Sequence, residues 1–244
     1  MQDKVAFISD IHGNYEALKT VVNDIKNKGI NMSNVYCLGD LVGYGPRPNE
    51  TLELLKQHEI ISVLGNYDEA VGFYLPNCGC NINSENDKLK TQNSLTWTAN
   101  HTSEQNKEYL RTLEERLSIE YYGIQILLTH ASPYAISEYI FEDNLEIQKE
   151  IASEIEEDII VFGHTHLSYH KWVNGKLFIN AGSVGKPKDG DNRACYCILD
   201  VPNRLVEFVR VSYDIEKVAK EIISSDLLDV FAEALRQGRD VNTL

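Results

Sequence analysis

No apolar run in this chain approaches the ~20 residues that a membrane span needs, and no basic segment at Met1 leads into an apolar one. The first absence argues against a membrane helix and the second against an export leader, so the chain reads as soluble and cytoplasmic. Cysteine is sparse: Cys37, Cys78, Cys80, Cys195 and Cys197 form an odd set scattered over 244 residues. That set fits a reducing compartment better than a disulfide framework, which a chain of this length does not need. Positive charge is also short. Lys and Arg number 23 against 37 Asp and Glu, a formal net charge of −14. Long-range electrostatics then disfavour duplex nucleic acid, long polyanions and anionic bilayers as partners. A small anionic substrate would need local positive charge, which bound metal ions can supply. No repeat or low-complexity tract interrupts the chain.

What is there is the alternation of an α/β protein. Short runs rich in Val, Ile, Leu and Phe, 43% of the chain being hydrophobic, alternate with segments of helical period. A single domain over 1–244 is expected. Val5–Ser9 reads as a strand, Asn14–Lys28 as a helix ending before Gly29, Val35–Leu38 as a strand, Asn49–His58 as a helix and Ile60–Leu64 as a strand. Residues 73–116 break the pattern with a Cys-Gly-Cys turn, an Asn/Ser-rich stretch and helices expected around Leu89–Asn100 and Glu104–Arg116, a helical insertion. Ser118–Tyr122 and Ile124–Thr129 pivot on Gly123 as adjacent strands. Asp143 and Glu146 then mark the start of a helix running to Glu157, and Ile159–Phe162 is the next strand. Asn174-Gly175 joins Tyr169–Val173 to Lys176–Ile179 as a hairpin, and Pro202-Asn203 joins Arg193–Val201 to Leu205–Val211. Amphipathic helices over about 213–238 close the chain.

The chemistry is written at the strand ends. Five apolar runs each deliver a metal-capable side chain: Asp10, Asp40, Asn66, His130 and His164. Open α/β sheets bind ligands at the carboxyl ends of their strands, so the five are expected to converge on one crevice. His12 and His166 lie two positions beyond Asp10 and His164, where extended backbone points side chains the same way. Seven oxygen and imidazole donors, with no thiolate, are too many for one ion. They suit two divalent ions ~3.5–4 Å apart that share a carboxylate, for which Asp40 is the candidate, and that lower the pKa of a bridging water toward ~7. Manganese is the first expectation, with iron, zinc, nickel or magnesium as alternatives. His58, His101 and His170 fall outside the pattern and read as surface or packing residues.

Ser9-Asp10-Ile11-His12-Gly13-Asn14, Gly39-Asp40, Gly65-Asn66-Tyr67-Asp68, Thr129-His130 and Gly163-His164-Thr165-His166 resemble, in order and spacing, the five blocks of the calcineurin-like metallophosphoesterases. The match runs over about 4–212, and Asn180–Gly185 looks like the glycine-rich turn of the small bacterial and archaeal branch. The resemblance implies a four-layer α/β/β/α sandwich of two mixed sheets. It also implies one metal on Asp10, His12 and His166, a second on Asn66, His130 and His164, and Asp40 on both.

One position departs from the family. Its third block usually carries His next to the Asn, as a proton donor or charge stabiliser at the leaving group, and here that residue is Tyr67. Some small members carry Cys in this slot and are associated with phosphodiester substrates. A phenol of pKa ~10 is a poor proton source at neutral pH. The expected substrate is therefore a small phosphodiester or phosphoanhydride of nucleotide type, whose leaving group needs little help. A phosphomonoesterase, a nuclease and a non-catalytic metal-binding scaffold on the same fold are the alternatives. Tyr67 and Asp68 are candidate catalytic residues, although Asp68 also suits a loop anchor. Arg47, Ser183, Lys186 and Lys188 are candidate phosphate contacts against a default of solvated loop charge and turn formation. Cys78-Gly79-Cys80 reads as a plain loop, with a redox-sensitive flap as the minor reading, and Cys195 and Cys197 read as core. No further partner is implied beyond a small phosphorylated substrate, and a homo-oligomer is compatible with the sequence.

Overall fold

The computed structural model describes residues 3–82 and 84–243; Met1, on which the expectation about an export leader falls, and Gln2, Asn83 and Leu244 lie outside the described residues. Among the described residues ten strands build two five-stranded mixed sheets. The first has the order β10 (Leu205–Val211), β9 (Ala194–Asp200), β1 (Lys4–Ile8), β2 (Val35–Cys37), β3 (Ile61–Ser62). The second has the order β4 (Arg116–Tyr121), β5 (Ile124–Thr129), β6 (Ile159–Phe162), β8 (Lys176–Asn180), β7 (Tyr169–Val173). β1, β2 and β3 run parallel, as do β5, β6 and β8, and the antiparallel strands flank them.

Side-chain alternation sets the layers. Val5 and Phe7 of β1 meet Cys197 and Leu199 of β9, with Ile126, Leu128, Val161, Leu177 and Ile179 of the other sheet, in one core between the sheets. Ala6 and Ile8 point the other way, onto Ala17, Leu18, Val21 and Ile25 of α1 (Tyr15–Asn27) and Leu52 and Leu55 of α2 (Pro48–Gln57). Ile160 and Phe162 pack against Ile151 of α6 (Leu145–Glu154). Helix, sheet, sheet, helix: this is the four-layer α/β/β/α sandwich.

Asn14 caps α1 by accepting from Ala17 N–H. Tyr122-Gly123 and Asn174-Gly175 both take positive φ at the tips of their hairpins, as two-residue turns between right-twisted strands require. The remaining α-helices among the described residues are α3 (Asn66–Gly72), α4 (Glu85–His101), α5 (Glu104–Leu110), α7 (Ile215–Ile223) and α8 (Val230–Gln237).

Three expectations need correction. β3 is only two residues long, because the chain turns after Ser62 to carry Asn66 into the crevice. α5 stops at Leu110 and not at Arg116, because Arg116 already pairs with Thr129 as the first residue of β4. α6 is capped by Asn144 and ends at Glu154, leaving 155–158 to turn into β6. Among the described residues no helix is long and apolar enough to cross a membrane.

Candidate metal centre

The crevice is built where the parallel strands end. Asp10 N–H donates to Gly39 O (3.0 Å) and His12 N–H to Asp40 O (2.9 Å), carrying the β1–β2 pairing past the last strand residues. Gly39 makes that approach possible, since a Cβ there would lie 2.6 Å from Gly65 N, the residue that introduces Asn66. Asp10, His12, Asp40, His164 and His166 all hold left-handed backbone, with φ between 51° and 64°. For a residue with a Cβ this costs about 1 kcal/mol or more and persists only where surroundings enforce it. The extended presentation expected for Asp10/His12 and His164/His166 is thus corrected: each pair sits in a tight left-handed turn. The turns are held from across the crevice, by Gly185 N–H on Asp10 O (3.0 Å) and by His164 N–H on Asp10 Oδ2 (3.0 Å).

Two trios of donor atoms result, Asp10–His12–His166 and Asp40–His130–His164, each within 4.8 Å and fully buried. The ring nitrogens decide what the trios want. His12 Nδ1 faces Val42 O (3.1 Å), His130 Nδ1 faces Leu38 O (2.7 Å), His164 Nε2 faces Ser137 O (3.1 Å) and His166 Nδ1 faces Lys186 O. A carbonyl only accepts, so each of those nitrogens carries a proton, and in a neutral ring the other nitrogen is then bare. The bare nitrogens meet: His12 Nε2 and His166 Nε2 at 3.2 Å, His130 Nε2 and His164 Nδ1 at 3.2 Å. Asn66 adds its Oδ1 at 2.9 Å from His130 Nε2, its amide nitrogen being drawn away by Cys78 O (2.7 Å) and Cys80 Sγ (3.3 Å). Asp10 Oδ1 is buried and makes no well-formed hydrogen bond, its nearest polar neighbour being His166 Nε2 at 3.2 Å. Lone pairs facing lone pairs, with an orphaned carboxylate oxygen among them, is an arrangement that divalent cations satisfy. The oxygen and imidazole donor set suits Mn, Fe or Zn.

Asp40, a member of the second trio, also reaches the first, with Oδ1 at 3.6 Å from His130 Nε2 and Oδ2 at 3.6 Å from His12 Nε2. Burial and neighbouring charge agree with a cation-seeking site. Burial, then His166, hold His12 well below the usual imidazole range; burial, then His130, do the same to His164. Burial and Lys188 bring His166 down to about 4, so these rings are neutral and able to ligate. Burial works to raise Asp10, but His166 and the neighbouring histidines hold it below the ordinary carboxylate range. Asp40, buried beside Asp10 with only the Tyr67 amide donating to it at close range, is pushed well above that range.

The other expected residues separate. Tyr67 lines the cavity of about 490 Å³ that opens over the trios, its ring edge-on to His12 (centroids 5.5 Å apart) in the slot that side-chain-free Gly43 leaves. Its hydroxyl is buried and unpartnered, and burial pushes its pKa well above 10. Lys186 and Lys188 line the same cavity. Lys186 is buried with its ammonium 4.1 Å over the Tyr44 ring, and burial and Lys188 bring it down to about 7; Lys188 pairs with Asp240 at 2.9 Å.

Of the two readings of Asp68, the hydrogen bonds fit the loop anchor, for its carboxylate accepts from Leu41 N–H (2.8 Å), Val42 N–H (3.2 Å) and Gly65 N–H (3.1 Å). Those bonds tie the Asp40 and Asn66 loops together. Arg47 does not reach the cavity: Glu221 takes its guanidinium and Glu16 lies beside it. Ser183 donates to Asp10 O (2.8 Å) and accepts from Lys186 N–H (2.8 Å), which makes it a turn former beneath the site.

Sequence reasoning missed the backbone carbonyls that set the histidine tautomers, which no residue type announces, and the role of the Cys78–Cys80 loop in orienting Asn66. It also missed Tyr44, Tyr139 and Asp240 on the cavity wall. The aromatic content of residues 139–141 was the one available signal.

A model of the calcineurin-like phosphoesterase superfamily domain matches residues 4–204. An uncharacterised protein of Methanocaldococcus jannaschii is 34% identical, over 98% of this chain and 100% of that protein. Phosphodiesterase YfcE of Escherichia coli is 27% identical over 81% of this chain and 87% of its own. Among solved structures, a metallophosphoesterase from Sphaerobacter thermophilus superposes with a TM-score of 0.79 at 29% identity, over 98% of this chain and 100% of that one. A hypothetical protein of Pyrococcus horikoshii shares the fold, with a TM-score of 0.84 at 22% identity over 96% of this chain and 98% of the other.

Proposed function

This chain belongs to the calcineurin-like phosphoesterase superfamily and is a metal-dependent phosphoester hydrolase; from that premise we propose that it is a two-metal phosphodiesterase acting on small phosphodiesters or phosphoanhydrides of nucleotide type. The observation that carries the reading is Asp40, whose Oδ2 lies 3.6 Å from His12 Nε2 of the first trio while its Oδ1 lies 3.6 Å from His130 Nε2 of the second. Asp10, His12 and His166 would hold one ion, Asn66, His130 and His164 the other, and Asp40 both. Manganese is the first choice among the ions that suit these donors. Bound, the ions would supply a neutral-pH nucleophile from water and positive charge for the phosphate oxygens.

The protein's own groups orient the donors and shape the cavity above them. The carbonyls of Val42, Leu38, Ser137 and Lys186 fix the imidazole tautomers, so no ring has to reorganise on loading. Lys188, paired with Asp240, and Lys186 in its protonated form stand on the cavity wall, placed to meet a phosphate oxygen. Tyr67 has a hydroxyl free to donate a hydrogen bond but, with its pKa raised, it does not supply a proton at neutral pH. A leaving group that departs as a stable anion fits such a site; the phosphodiesterase name of the Escherichia coli relative points the same way.

The test is a comparison on protein stripped of metal and reloaded with Mn. Two ions per chain and a higher kcat/KM for an aryl diester or nucleoside polyphosphate than for an alkyl monoester are expected. Preference for the alkyl monoester overturns the substrate assignment, and a stoichiometry of one overturns the paired centre.

A further inference from the structure

We propose that Tyr139 and Phe141 form a stacking subsite for the base of a nucleotide whose phosphate lies at the metal centre, a proposal that rests on the phosphodiesterase reading above. The two rings are nearly parallel, 12° apart in plane with centroids 5.6 Å apart, and Tyr139 in turn lies 4.2 Å from the ring of His164. Aromatic surface therefore runs without a break from the metal-facing histidines to the rim of the cavity.

The alternation of the chain explains the placement. Ile140 is buried with Ile151, Ile160 and Phe162, so its neighbours on either side turn the opposite way, into the cavity, which both of them line. The loop is fixed on its far side by Gln148, fully buried, which donates to Phe141 O (2.9 Å), and by the Tyr169 hydroxyl on Ile140 O (2.9 Å). It is tied to the metal centre by the His164 ring, which donates to Ser137 O. The rings are thus presented on rigid backbone, and little conformational freedom is lost when a ligand meets them.

Phe141 is nonetheless 41% exposed, an apolar ring at the mouth of a cavity whose floor is carboxylate, amide and imidazole and whose other wall carries Lys186 and Lys188. A ligand that fits must offer an anionic end to the floor and a flat apolar end to the rim, which describes a nucleotide. The cavity volume, about 490 Å³, falls within the ~300–1,000 Å³ of small-ligand sites. Stacking recognises the π-face that every base has, so the subsite favours nucleotides over alkyl esters without choosing one base.

The experiment uses Phe141→Ala, with Phe141→Tyr to separate loss of the ring from damage to the loop. On the Mn-loaded protein, Phe141→Ala is expected to raise KM for a dinucleotide or nucleoside polyphosphate about fivefold or more relative to KM for an alkyl diester, and Phe141→Tyr to restore the ratio. On the metal-free protein, adenosine is followed by ligand-observed NMR. It carries the base without the phosphate, and is expected to bind where ribose does not, about fivefold or more weakly to Phe141→Ala. An unchanged KM ratio, or equal adenosine binding by wild type and Phe141→Ala, overturns the subsite while leaving the hydrolase reading intact. Absence of metal-dependent hydrolysis of every ester overturns that reading instead, and the adenosine titration then decides the subsite alone.

Discussion

His12 and His166 point their Nε2 atoms at each other across 3.2 Å, the other nitrogen of each ring facing a backbone carbonyl. In the neutral tautomers that those carbonyls select, two lone pairs at that separation repel, and Asp10 Oδ1, 3.2 Å from the same His166 Nε2, completes the cluster. The same relationship recurs between His130 and His164. The metal-free protein therefore holds electrostatic strain that a cation relieves.

Removal of metal is accordingly expected to lower the melting temperature. A ligand that binds only the folded state at a hundred times its Kd stabilises by about 2.7 kcal/mol, which for a chain of this size is about 5–10 °C. Calorimetry in chelator and then with added Mn measures it. Mg should raise the temperature less, because imidazole donors suit it poorly. An unchanged melting temperature on Mn addition contradicts the cation-seeking reading of the four rings.

Asp40→Asn keeps the shape of the side chain and removes its charge. Loss of both ions is expected to cost at least about a hundredfold in kcat and to reduce bound metal below two per chain. Elemental analysis beside steady-state kinetics checks both, and full activity refutes the bridging role.

Tyr67 is probed by two replacements. Tyr67→Phe deletes a buried hydroxyl that has no partner, so stability is expected to stay within about 0.5 kcal/mol or rise slightly, as denaturant titration measures. Tyr67→His introduces a group of pKa ~6.5 that can protonate a leaving group, and is expected to raise alkyl monoesterase activity relative to diesterase activity. A ratio that does not move rules out leaving-group protonation as what the native site lacks.

Gly39→Ala tests the approach of the β2 and β3 ends. Its φ of +85° and the 2.6 Å that would separate the new Cβ from Gly65 N leave no room for the methyl group. The two loops must part, moving Asp40 away from Asn66. A lower melting temperature together with weaker metal binding is expected; a variant that binds two ions with native affinity contradicts the argument.

Much of this site is legible in the chain because β1, β2, β5 and β6 are apolar runs that each stop at a donor, Asp10, Asp40, His130 and His164, and parallel strands bring such stops to one edge. What the runs could not convey is long-range. Arg47 resembles a phosphate contact until Glu221, 174 residues away, takes its guanidinium. α3 was hidden because its first residues, Asn66-Tyr67-Asp68-Glu69, carry no apolar stripe and its N-cap, Gly65, has no side chain to announce it. The sheet order was equally silent, since β9 joins β1 across nearly the whole chain. Even the left-handed turns at Asp10 and His12 go against local preference and are imposed by hydrogen bonds from elsewhere.

Those imposed turns have a kinetic side. Asp10 leaves the first sheet and His164 the second, and the bond from His164 N–H to Asp10 Oδ2 joins them, as His130 Nδ1 on Leu38 O does a second time. Sliding of one sheet over the other would break both stitches and release the unfavourable backbone conformations together. Thermal inactivation should therefore coincide with loss of the near-ultraviolet circular dichroism signal, and amide protons at the crevice should exchange as slowly as those of the innermost strands.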